Sequence, residues 1–119
     1  MILHNDAVDA ILTRRSIRSY QAKQISEDAL ETILTAVQYA PSGMNQQSAK
    51  AIVVQSKERM QQLVQLAKAA EQVDHNPFYD APTVILVFAD ATQLAPLEDG
   101  CNVLENMICL LYTSDAADE

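Results

Sequence analysis

Glycine is almost absent from this 119-residue sequence, which holds only Gly43 and Gly100. That excludes a glycine-rich dinucleotide fingerprint and a Walker-type phosphate loop, so any phosphate must be held by side chains. Histidine is as scarce. His4 and His75 stand apart, with no second histidine or cysteine at ligand spacing, and a zinc or haem site has no support. His75, inside "DHNPFYDAP", reads as a loop or core residue rather than a catalytic one. A Ser-His-Asp triad is assembled in space and leaves no mark in sequence order. Cys101 and Cys109 fall on one expected helix, about 12 Å apart along its axis, too far to bridge, and are expected to be reduced thiols. No apolar run approaches the roughly 18 residues of a membrane span. The opening "MILHNDAVDA" lacks the basic flank and apolar length of a signal peptide, so a cytoplasmic protein without membrane contact is expected. Positive charge is short too: eight Lys and Arg against 16 Asp and Glu, a net charge of -8. Nucleic acid and anionic membrane both call for a broad positive field, which this chain lacks.

What is present fits one globular domain around one core, with 49% hydrophobic and 20% charged residues. The scarce positive charge is not spread evenly. Arg14, Arg15, Arg18 and Lys23, half of the eight basic residues, lie in "TRRSIRSYQAK". A short cluster on a negative background suits a small anionic ligand better than an extended polyanion.

Periodicity supplies the elements. Asn5 or Asp6 caps a first helix whose Val8, Ile11 and Leu12 form an i, i+3, i+4 stripe. Ser26 caps a second, with Glu27 and Asp28 at the positive end of its dipole and Leu30, Ile33, Leu34 and Val37 on one face, until Pro41 stops it. Ala51 to Val54 reads as a strand, and Ser56 opens a third helix with Met60, Leu63, Val64 and Ala67 inward. "TVILVFA", Thr83 to Ala89, is apolar on both faces and is expected to run through the middle of a covered sheet. From Leu97 one stripe holds Cys101, Leu104, Ile108 and Leu111, and a second holds Val103, Met107 and Leu110, an apolar face wider than a surface helix needs. Helices are thus expected at roughly 6 to 13, 26 to 39, 57 to 70 and 97 to 111, in an α+β domain whose two strands pair. A sheet usually needs about three strands to be stable, so the remainder must come from a partner chain, a further part, or both.

Two segments are equipped for chemistry. Arginine binds phosphate bidentately through a rigid fork of donors, and a neighbouring hydroxyl adds a rotatable one, which Arg14, Arg15, Ser16 and Arg18 could combine. The alternative is a solvated basic turn paired with acids elsewhere. In "APSGMNQQSAK", Asn45, Gln46 and Gln47 offer both donors and acceptors, as recognition of a heterocycle with alternating N–H and C=O groups requires. A plain connection between helix and strand is the competing reading of that loop.

The combination of "ILTRRSIRSYQAKQISEDALETILTAVQYAPSGMNQQ", "AIVV" and "YDAPTVILVFAD" resembles the N-terminal half of the nitroreductase family of flavin enzymes, over about residues 7 to 108. The resemblance implies an α+β nitroreductase-like fold, helices around a central, mostly antiparallel sheet, here truncated. It implies an FMN-dependent oxidoreductase that takes electrons from NAD(P)H and passes them to nitroaromatic, quinone or similar small-molecule acceptors. The RRS-x-R turn would grip the FMN phosphate and ribityl chain through Arg14, Arg15, Ser16 and Arg18. The PSG-x-N loop would reach the flavin of the other subunit in a homodimer with shared sites, through Pro41, Ser42, Gly43, Met44, Asn45 and Gln47.

Departures accompany the resemblance. Family members run to nearly twice this length, and a glycine-containing turn near the flavin ring, a distant basic residue and further strands have no counterpart here. "CLLYTSDAADE", Cys109 to Glu119, resembles a translated sequencing-adapter string, and residues 109 to 119 are expected to be foreign to the domain. The alternatives to an enzyme are a non-catalytic flavin-binding module, an inactive truncated product and an acidic protein-interaction module.

Overall fold

Short polar side chains decide where the helices begin. In a computed structural model, which describes residues 1–113 with side chains through Leu110, Asn5 accepts from the Val8 amide and opens α1, Asp6–Thr13. Ser26 accepts from Ala29 and opens α2, Glu27–Gln38, and Ser56 accepts from Arg59 and opens α3, Lys57–Glu71. Each cap satisfies an amide that the first helical turn leaves free. With glycine so scarce, α3 ends on Gln72 in the left-handed conformation (φ 56°), its N–H donating to the Lys68 carbonyl. The last helix, α4, spans Pro96–Thr113, with proline at the first position, where a missing N–H costs nothing. Of the stretch expected to be foreign, residues 109–113 end this helix and residues 114–119 lie outside the described residues.

The strands β1, Ala49–Val54, and β2, Val84–Ala89, pair antiparallel from Ala49↔Ala89 to Val54↔Val84. Opposed residues share a face. Ala49, Ile85 and Val87 therefore pack together against the core cluster of Ile33, Val103 and Met107, while Ile52 and Phe88 on the other face stay exposed. Among the described residues β2 has a neighbour on one side only, so its expected place in the middle of a covered sheet is not filled. Its apolar outer face is open instead.

The core is small. Ala10, Ile33, Val103 and Met107 are the buried apolar residues among those described. The α2 stripe turned inward as expected, with Ile33 fully buried and Leu30, Leu34 and Val37 half-buried. The α1 stripe did not: Ile11 and Leu12 are exposed, and Ala10 packs inward. On α4 the packed stripe is Val103, Met107 and Leu110, against α2 and the sheet, whereas Leu97, Leu104 and Ile108 remain exposed. The inward positions expected on α3 are only half-buried. Both cysteines are free, and among the described residues no helix is long and apolar enough to cross a membrane.

Candidate flavin site

The chain leaves α1 at Arg14, whose N–H closes the helix on the Ala10 carbonyl, and runs on in extended form. This exit places Arg14, Arg15, Ser16 and Arg18 together on one rim of a cavity of about 530 Å³. Lys23 joins them, and Phe78, Tyr79, Ile85 and Met107 contribute apolar wall. One nitrogen of the Arg15 guanidinium, Nη1, donates to the carbonyls of Leu12 at 3.1 Å and Arg14 at 2.8 Å. Among the described residues the only ion pair is His4 with Asp9. Arg14, Arg18 and Lys23 therefore have no carboxylate partner there, despite the acid-rich composition. Among the described residues the competing reading, a basic turn paired with acids elsewhere, finds no such pair. A cluster of guanidinium and ammonium groups beside an apolar wall is chemically suited to a phosphate joined to a planar, partly apolar body.

The second segment folds differently from an ordinary connection. Gly43–Asn45 forms a single 3-10 turn, and Met44, Asn45 and Gln47 take φ of 52°, 55° and 52°, in the left-handed region that non-glycine residues seldom occupy. Strain of this kind collects where function requires a set shape. Asn45 and Gln47 are exposed and joined by one hydrogen bond of 3.3 Å from Gln47 Nε2 to Asn45 Oδ1. Met44 projects, 83% exposed. Ser42 Oγ accepts from the Gln47 amide, and the Pro41 carbonyl accepts from Asn102 on α4. Gln46 is withdrawn from recognition, because its Oε1 accepts from the Leu94 amide at 2.8 Å.

Within one chain the two segments do not meet: none of residues 41 to 47 lines the cavity that holds the arginine turn. Sequence reasoning missed three contributors. Phe78 and Tyr79 reach the cavity from a loop whose only sequence signal was an aromatic pair between Pro77 and Asp80. Asp99, 2% exposed, accepts from Gly43 N at 2.8 Å and from Ser48 Oγ at 2.7 Å, and its signal was no more than an acid in the first turn of a helix. Among the described residues no group of three His, Cys, Asp or Glu side chains could hold a metal ion.

Comparisons with known proteins show the family. A Bacillus subtilis protein named FMN reductase (NAD(P)H) is 36% identical over 75 residues, 63% of this chain and 30% of the relative. A Thermus thermophilus protein named NADH dehydrogenase is 34% identical over 103 residues, 87% of this chain and 45% of the relative. The chain thus spans less than half the length of these relatives. A nitroreductase from Bacteroides fragilis, solved with bound FMN, superposes with a TM-score of 0.86 at 28% identity, over 93% of this chain and 66% of that one. The family model described as the nitroreductase family matches residues 11–108, and the chain belongs to that family.

Proposed function

We propose that this chain is the N-terminal part of a longer, homodimeric FMN-dependent oxidoreductase that uses NAD(P)H to reduce nitroaromatic, quinone or similar small acceptors. The observation that carries this reading is the Arg14, Arg18 and Lys23 cluster, without a carboxylate partner among the described residues, on the rim of an apolar-walled cavity. Arg14, Ser16 and Arg18 would hold the FMN phosphate, and Arg15, bonded to its own turn, would keep that turn in shape. Pro41, Ser42, Gly43, Met44, Asn45 and Gln47 lie away from the cavity of their own chain, as residues serving the partner's flavin would. When bound, FMN supplies the redox chemistry, taking hydride from the nicotinamide and passing electrons onward. The chain's own residues bind and orient it.

Purifying the full-length protein and recording flavin absorbance and NAD(P)H oxidation tests the proposal. Bound flavin with acceptor-dependent oxidation supports it. Bound flavin without turnover leaves a flavin-binding module, and absence of flavin binding leaves an acidic interaction module.

A further inference from the structure

The stretch from Met44 to Gln47, left-handed at Met44, Asn45 and Gln47, is bracketed by Gly43 and Ser48, and both of these residues are held by one side chain. Asp99 takes the Gly43 amide on Oδ1 at 2.8 Å and the Ser48 hydroxyl on Oδ2 at 2.7 Å. The contacts are shielded, with Asp99 2% and Ser48 6% exposed. The approach is close: a Cβ added at Gly43 would stand 3.2 Å from Ala95 Cβ and 3.9 Å from Asp99 Oδ1. Ser48 is also fixed on its other side, its carbonyl accepting from the Asp90 amide at 2.9 Å. Burying a carboxyl is costly unless hydrogen bonds compensate it, and among the described residues no cation pairs with Asp99. Three left-handed non-glycine residues persist only if their surroundings hold them there. Asp99 supplies that hold at both ends of the stretch.

We propose that Asp99 is a positioning residue, a buried clamp from α4 that keeps residues 44 to 47 in their shape, left-handed at Met44, Asn45 and Gln47, so that Asn45 and Gln47 are presented to the flavin ring. This rests on the flavin reading above. Without the clamp the loop spreads over other conformers, and apparent affinity falls with the fraction that remains competent. The turn that binds phosphate is untouched, so FMN and riboflavin should suffer alike.

The test uses the full-length protein with FMN and riboflavin titrations, thermal melting, and amide hydrogen exchange at Gly43. Asp99→Ala should speed Gly43 exchange and weaken both flavins by about tenfold, without changing their ratio, because the competent fraction drops. Asp99→Asn should recover most of the affinity, since its amide oxygen still accepts from Gly43 and its NH₂ group can donate to Ser48 Oγ. If Asp99→Ala does not fold, Ser48→Ala decides, with a smaller loss for both flavins expected. Arg14→Ala, lowering FMN affinity alone, serves as the reference for an intact flavin site. If that reference behaves so while a folded Asp99→Ala binds both flavins as wild type does, the clamp is overturned and the flavin reading stands. An Asp99→Asn variant as weak as Asp99→Ala, or unchanged Gly43 exchange in Asp99→Ala, also overturns the clamp. Wild type binding neither flavin overturns both readings.

Discussion

Arg14 and Arg18 differ from Arg15 in having guanidinium groups that make no hydrogen bond among the described residues, while Arg15 Nη1 donates to the Leu12 and Arg14 carbonyls. Their Ala variants should therefore behave differently. In the full-length protein, loss of a charge-assisted bidentate contact in Arg14→Ala or Arg18→Ala should cost about 1.5–3 kcal/mol, or one to two decades of FMN affinity. Riboflavin, which lacks the phosphate, should bind wild type and variants nearly equally. Paired titrations, with circular dichroism to confirm folding, check this, and equal loss for both flavins would return the cluster to a structural turn. A second residue-level expectation concerns Asp90, whose carboxyl is held below the usual aspartate value chiefly by the Thr92 hydroxyl, then by the Thr92 amide and Gln93. A carboxyl depressed in the folded state steadies its turn above the unfolded-state value and loses that effect as pH falls through the folded-state one. Thr92→Val should raise the Asp90 midpoint in an NMR titration. A midpoint that does not rise would assign the shift to the other partners.

Between α2 and α4 the helical period identified apolar stripes correctly but did not say which would be covered. Ile33, fully buried, meets Val103 and Met107. Ile33→Ala in the full-length protein should cost about 2–5 kcal/mol, from lost transfer energy and the cavity left behind. Leu66→Ala on α3, where Leu66 is 69% exposed, should stay within about 0.5 kcal/mol. Urea unfolding of the two variants measures the contrast, and similar losses would show that α3 packs against something that the single chain lacks. The α1 stripe illustrates the limit of such reading. Val8, Ile11 and Leu12 have the spacing of a buried face, yet the buried residue of α1 is Ala10, Val8 is half-buried, and Ile11 is 64% exposed. Spacing defines a face, and a neighbour must exist to bury it.

The molecule as a whole is open for its size. Its radius of gyration is 15.5 Å, against about 13.5 Å for a compact chain of this length. Its accessible surface is 8691 Å², against about 6,400 Å² for a folded monomer of 13.1 kDa. The excess is of the order that an obligate interface removes. Leu97, Leu104 and Ile108 on α4 and the open face of β2 supply apolar area for it. Residues 1–119 alone should accordingly self-associate or remain partly unfolded, seen by sedimentation and urea unfolding. A sharp, cooperative, concentration-independent transition of a monomer would overturn the dimer proposal.

Helix starts, the strand pair, the α2 face and the basic turn were all legible from neighbouring residues, because capping, periodicity and charge clustering act within a few positions of the chain. So was the resemblance to nitroreductases, carried by two short motifs. The Asp99 contact to Gly43 spans 56 positions, and Phe78 comes to the arginine turn across some 60, distances over which spacing carries no information. The same holds for the choice between the two stripes of α4, which depended on where α2 and the sheet came to lie. Local sequence determined the parts and their chemistry. Tertiary packing alone decided which apolar faces were covered, because burial depends on neighbours that only the folded chain brings close.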